Sequence, residues 1–276
     1  MKIFEDRINK ETKEWAIPEE EIKQWVDLRN WRIWTCDPIT AKDLDDSLSL
    51  EHIEGDIWEI GVHIADVSYF LVQGSALDKE ALSRGSSVYF PNIVIPMLPR
   101  LLCENLCSLN PNVERLAYTC FFWIKENGDL VDYEPRIHRS VIKSCAKWNY
   151  ELVQDILDWK ITELSQIDEK YYPQNHDFKD MVADCFKFNE IALAWRKKRL
   201  ANGAITLENA QYYFALGDDQ MPTSFEEQKR MDSKNLIEEY MLLANKFVAE
   251  FIVKFCKDKA VIWNQLPPKE EKIALF

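Results

Sequence analysis

Four aspartates, Asp37, Asp43, Asp45 and Asp46, fall within one ten-residue span of Thr35-Cys36-Asp37-Pro38-Ile39-Thr40-Ala41-Lys42-Asp43-Leu44-Asp45-Asp46. Carboxylates this close raise one another's pKa values and resist ionising together unless a positive charge lies between them. An all-oxygen set suits a hard cation, Mg²⁺ or alternatively Mn²⁺, which binds a few carboxylates and leaves positions open for water and phosphate oxygens. Two such ions about 3.5–4 Å apart cleave phosphodiesters, one activating water and the other stabilising the leaving oxygen. The spacing predicts that the four carboxylates converge on one metal-sized pocket of a nuclease. As bare composition, the same residues also fit a solvated turn or a helix cap. An EF-hand loop starting at Asp43 would put Asp45, Ser47 and Glu54 at ligand positions, but Leu48 stands where that turn needs glycine.

Rigid elements must flank such a loop. Ser47-Leu48-Ser49-Leu50 begins a polar–apolar alternation, so 47–53 and 57–64 read as paired strands around Glu54-Gly55-Asp56. A short helix is expected over 77–84, and a second strand pair over 116–125 and 130–142 around Asn127-Gly128-Asp129. From Trp148 onward helical periodicity dominates. Its clearest case is 235–255, where Leu236, Tyr240, Met241, Ala244, Phe247, Val248, Phe251 and Ile252 recur at three- and four-residue steps. Glu238 and Asn245 lie seven residues apart on that helix, about two turns, and share a face. Residues 1–30 are acidic and helix-prone, with Pro18 ahead of Glu19-Glu20-Glu21 as a helix start, and read as a linker before a domain over 31–276.

Composition narrows the function classes. At 276 residues and 47% hydrophobic content, the chain can bury a sizeable core. It contains no apolar run of the roughly twenty residues that a membrane span needs. Seven cysteines without paired spacing point to free thiols in a reducing, cytoplasmic setting. A net charge of −13 argues against a simple nucleic-acid module, because Lys/Arg–phosphate contacts supply most non-specific affinity. It still allows an enzyme that grips RNA in a narrow channel. Trp195-Arg196-Lys197-Lys198-Arg199 concentrates positive charge, which from composition alone is a solvated helix face.

The aspartate segment resembles the signature of the RNase II/RNase R family of hydrolytic 3′→5′ exoribonucleases. The likeness continues through Val62-His63-Ile64-Ala65-Asp66-Val67-Ser68-Tyr69-Phe70, Ile95-Pro96-Met97-Leu98-Pro99-Arg100-Leu101-Leu102-Cys103 and Leu106-Cys107-Ser108-Leu109-Asn110-Pro111. It reappears in Leu236-Ile237-Glu238-Glu239-Tyr240-Met241-Leu242-Leu243-Ala244-Asn245. The wording is similar to the eukaryotic cytoplasmic Dis3-like branch. The resemblance implies an α+β fold, a mixed RNB-type catalytic domain that is strand-rich in its first half and helical in its second.

By the same resemblance, Asp37 and Asp46 are the metal ligands, Asp43 and Asp45 their catalytic companions, and Glu238 lies beside them. Tyr89, Tyr150 and Arg199 are the RNA contacts, and Leu207 stands where bacterial relatives carry an aromatic clamp. The implied activity is magnesium-dependent release of nucleoside 5′-monophosphates from the 3′ end of single-stranded RNA, including 3′-uridylated RNA, by a monomer. The alternative is a catalytically impaired RNA-binding relative of that family; an interaction scaffold leaves the aspartates unexplained. The family's catalytic arginine segment and OB folds have no counterpart in these residues, so the domain is expected to be truncated. The chain alone is then expected to bind Mg²⁺ weakly and degrade RNA poorly.

Overall fold

The computed structural model describes residues 16–131, 136–205, 212–218, 221–227 and 230–262. Its centre is a seven-stranded mixed sheet in the order β1-β8-β7-β4-β3-β2-β9. The strands are β1 Val26–Leu28, β2 Ile33–Asp37, β3 Asp46–Glu54, β4 Ile57–Ala65, β7 Glu114–Lys125, β8 Arg136–Lys143 and β9 Ala146–Asn149. β3, β4, β7 and β8 form an antiparallel run, while β1 joins β8 and β2 joins β9 in parallel. Two small hairpins stand apart from it, β5 Val88–Tyr89 with β6 Val94–Ile95 and β10 Tyr212–Leu216 with β11 Pro222–Glu227.

Side-chain alternation divides the core into two layers, as the period of two in a strand requires. On one face Leu48, Leu50, Ile60, Val62, Cys120, Phe122, Trp34 and Trp148 pack under three helices, α3 Tyr150–Leu157, α4 Phe178–Ala201 and α5 Asp232–Cys256. On the other, Ile33, Ala117, Phe121 and Ile142 meet Leu44, Leu98 and Leu109 from the loops and Leu102 and Leu106 from a π-helical turn, together with Ala81 of helix α2, Ala76–Arg84. Five of the seven cysteines are buried and serve as small core residues.

The central hairpin β3–β4 agrees with its alternation, and Gly55 supplies the positive φ of 56° its turn needs. Within it, fully buried His63 lies between Ser49 Oγ, 2.9 Å from Nε2, and Thr119 Oγ1, 2.8 Å from Nδ1. Gly61 makes room for that contact, since a Cβ there would stand 2.4 Å from Ser49 Oγ. Burial alone pulls the imidazole down to about 3, so His63 is a neutral strut of the sheet.

The structure adds detail to the expected extents of the elements. Val26–Leu28, read as linker, is the edge strand of the sheet, and Leu28 and Ile17 are buried. Part of the expected linker thus packs with the sheet, and a short helix, α1 Glu19–Gln24, follows Pro18 as expected. β2 and β9 carry too little alternation to be read locally, because β2 is buried at all five positions. The β10–β11 hairpin adds a strand pair within the half where helical periodicity dominates, as expected. Among the described residues, no helix is long and apolar enough to cross a membrane. Residues 1–15 of the expected linker, residues 132–135 of the expected second strand pair, and Leu207 lie outside the described residues.

Candidate active site

Sheet order brings the aspartates together. Asp37 closes β2 in register with Asn149 of β9, and Asp46 opens β3 opposite Ile64. Because β2 and β3 are antiparallel neighbours, both residues sit at the same end of the sheet, and residues 38–45 form the loop between them. Burial of Leu44 beneath that loop ties it to the second core layer.

The electrostatics follow from this placement. Asp37 is 9% exposed, and its Oδ2 is buried with no hydrogen-bond donor among the described residues. Burial first, and the Asp46 carboxylate next, push Asp37 up to about 7; Lys147 opposes this, and Asp45 and Asp43 add to it. Burial, reinforced by Asp45, pushes Asp46 up to about 6. Asp45 is raised as well, by partial desolvation and then by Asp43. The four charges thus act on one another as the spacing predicts. They do not, however, form a closed cage: among the described residues, no group of three or more His, Cys, Asp or Glu side chains is gathered closely enough to hold a metal ion. In place of one tight pocket the aspartates form a looser acidic group, its spacing set by the ends of β2 and β3 and the loop that joins them.

Donor chemistry still fits a hard divalent cation. The set is all oxygen, Asp37 holds an unsatisfied buried carboxylate oxygen, and both this carboxyl and the half-buried Asp46 titrate far above their ordinary value. A cation between them would remove each of these costs.

Tyr89 joins the group directly, its hydroxyl donating to Asp43 Oδ2 at 3.0 Å while the side chain is 64% exposed. Burial and that hydrogen bond push the phenol up to about 12, so it remains a donor. Tyr150 is the first residue of α3, next to the Asn149 cap whose Oδ1 accepts from the Leu152 amide at 2.8 Å. Since Asn149 is in register with Asp37, Tyr150 stands close to the acidic end of the sheet, and Lys234 Nζ lies 5.5 Å over its ring.

Two expected residues are placed elsewhere. Arg199 donates to the two carboxylate oxygens of Glu239 at 3.0 and 2.6 Å, joining α4 to α5, and Glu239 is only 1% exposed. Its first role is therefore to neutralise a buried acid. Arg196 lies 3.9 Å from the same carboxylate, and Lys198 pairs with Asp129, so most of the basic run is spent on internal partners. Glu238 is exposed on α5, and its charge acts on Arg199; the charges acting on Asp37 are Asp46, Lys147, Asp45 and Asp43, and the charge acting on Asp46 is Asp45. Glu238 is thus turned to solvent, because its buried neighbour Glu239 fixes the helix face. Asn245 is likewise exposed.

Lys147 was not foreseen. Its Nζ donates to the Ala41 carbonyl at 2.5 Å, bracing the aspartate loop, and it is the cation that lowers Asp37. No local signal marks it, since β9 reaches β2 only through a parallel pairing more than a hundred residues away in sequence.

Comparison with known proteins follows this geometry. The RNB domain family matches residues 25–276. The chain is 42% identical over 263 residues to "DIS3-like exonuclease 2" of Schizosaccharomyces pombe, covering 95% of this chain and 28% of the relative. It is 40% identical to "Inactive exonuclease DIS3L2" of Arabidopsis thaliana, covering 95% and 24%. Among solved structures, RNase R of Mycoplasma genitalium in complex with ribose-methylated single-stranded RNA superposes with a TM-score of 0.77 at 25% identity, covering 90% of this chain and 37% of that one. The chain therefore spans only about a quarter of the curated relatives' length. Because active and inactive relatives match about equally well, overall likeness does not decide activity, and the aspartates must.

Proposed function

The chain belongs to the RNB domain family, and from that premise we propose that it carries the carboxylate half of an exoribonuclease site. It acts on the free 3′ end of single-stranded RNA, 3′-uridylated RNA included, and releases nucleoside 5′-monophosphates in the cytoplasm as a monomer. One observation carries this reading: Asp37 and Asp46 share one end of the sheet, desolvated and with their charge only partly offset by Lys147. A fold gains nothing from such repulsion unless something positive is to be bound there.

Asp37 and Asp46 would hold Mg²⁺, or Mn²⁺ in its place, with Asp43 and Asp45 beside them. A bound divalent ion supplies charge neutralisation at phosphate and an activated water. The chain's own residues prepare for that. Lys147 fixes the loop at Ala41, Tyr89 holds Asp43 through its hydroxyl and offers an exposed ring, and Asn149 sets the start of α3 so that Tyr150 adjoins the acids. Stacking on such rings is tolerant of sequence and worth about 1–3 kcal/mol per base. It suits an enzyme that must step along RNA.

The second reading, an RNA-binding relative without turnover, is favoured by the relative named inactive at 40% identity and by the internal use of Arg199. One experiment separates the two. With 5′-labelled single-stranded RNA, the nuclease reading expects a ladder of products shortened one nucleotide at a time in Mg²⁺ and intact RNA in EDTA. Binding of the RNA without shortening in either condition would sustain the second reading and sink the first.

A further inference from the structure

The aspartate loop is held from behind by a clasp. Ser108 is completely buried, and its Oγ donates to the Lys42 carbonyl at 2.9 Å while accepting from the Leu44 amide at 3.0 Å. These peptide groups flank Asp43 on either side, so one hydroxyl fixes the backbone that presents it. The next amide, Leu109 N–H, donates to the Leu44 carbonyl at 2.8 Å, and Ala65 N–H donates to the Asp45 carbonyl at 2.9 Å.

Ser108 is itself held by an unusual partner. Arg115 is 7% exposed, and its guanidinium donates to the Ser108 carbonyl at 3.0 Å, the Glu114 carbonyl at 3.1 Å and Asn105 Oδ1 at 3.0 Å. Among the described residues, no carboxylate forms an ion pair with it. Burying a cation without an anion is costly, so a fold retains one where its fixed fork of donors is needed. Asn105 lies in a π-helical turn, Leu101–Leu106, an element that is rare and tends to occur at functional sites. That turn delivers Ser108 to the loop and Asn105 to Arg115.

We propose that Ser108, fixed by Arg115, is the positioning residue of the aspartate loop, setting the backbone of residues 42–45 so that Asp43 and Asp45 face the cation bound by Asp37 and Asp46. This rests on the reading of those aspartates as a divalent-cation site. It assigns a task to a buried serine and arginine that touch neither RNA nor metal.

The test compares Ser108→Ala with the unaltered chain and with Ile191→Val, a control in the core of α4 matched for loss of thermal midpoint. Two readouts are taken: amide hydrogen exchange across residues 38–46, and the dissociation constant for Mn²⁺. Removing a hydroxyl that serves two buried backbone groups is expected to speed exchange at Leu44 and weaken Mn²⁺ binding by about tenfold each, while the control changes neither. Asn105→Ala, which removes only the side-chain acceptor of Arg115, should raise the same exchange rate by less and serves if Ser108→Ala does not fold. Exchange at Leu44 and Mn²⁺ affinity within about twofold of the unaltered chain, or an equal effect in the matched control, would overturn the proposal. An unaltered chain that binds no Mn²⁺ would remove the metal reading, and the exchange result would still judge the clasp.

Discussion

Asp46→Asn is expected to slow RNA hydrolysis by about 10²–10³-fold while making the metal-free chain more stable. The two effects have one origin. Asp46 titrates at about 6 and Asp37 at about 7, both above the ordinary value of 3.8. The folded chain therefore binds more protons than the unfolded chain between about pH 4 and 7, and stability falls as pH rises through that window. At neutral pH without a divalent ion, ionised Asp46 costs about 2–3 kcal/mol, a figure set by its rise from 3.8 to about 6. Asparagine keeps the shape and removes the charge, so the pH slope should flatten and the denaturation midpoint at pH 8 in EDTA should rise. The same change removes a group that would hold a cation at the scissile phosphate. Denaturant titration at pH 5 and pH 8, with product analysis on the same samples, checks both. A variant that is less stable as well as less active would point to a structural aspartate.

Arg199→Ala should cost about 3 kcal/mol of stability, more than an RNA-contacting surface arginine could. Removal strands the buried carboxylate of Glu239, leaving it Arg196 at 3.9 Å as its nearest cation. Breaking a buried pair costs more than the pair contributes, because the remaining charge keeps its desolvation penalty. Adding Glu239→Gln to Arg199→Ala should recover part of the loss, which a double-mutant cycle by urea denaturation would show as non-additivity. If Arg199 instead serves RNA first, stability would stay near that of the unaltered chain and the dissociation constant for single-stranded RNA would rise. That outcome would restore the contact expected from sequence.

These residues also show what a sequence does and does not carry. Asp37, Asp43, Asp45 and Asp46 were legible because they lie in one segment and their chemistry depends on type and spacing alone. β3, β4 and β7 were legible because alternation and Gly55 mark them locally. Asn235 falls within α5, where the apolar period is long and regular, so that helix was legible too. Lys147, Ser108 and Arg115 were not, since Lys147 reaches the aspartate loop through a pairing of distant strands, Ser108 from beyond a π-helical turn, and Arg115 only through Ser108. Glu238 and Glu239 illustrate the finer limit. The helix was clear, yet which of two adjacent acids faces inward depends on Arg199 across the α4–α5 contact. β10–β11 shows another: every residue of β11 is exposed, so no buried face imprints a period on it.

The claim that the aspartates form a divalent-cation site is tested most directly by calorimetric titration of Mg²⁺ and Mn²⁺ into the metal-free chain at pH 6.5. The titration is run in two buffers of different ionisation enthalpy and repeated with the Asp37→Asn, Asp46→Asn double variant. The predicted result is saturable binding that releases up to about one proton, because Asp37 is still partly protonated at that pH and must ionise to bind. The double variant should lose both the binding and the proton release. Binding that is absent from the unaltered chain, or unchanged in the double variant, would contradict it.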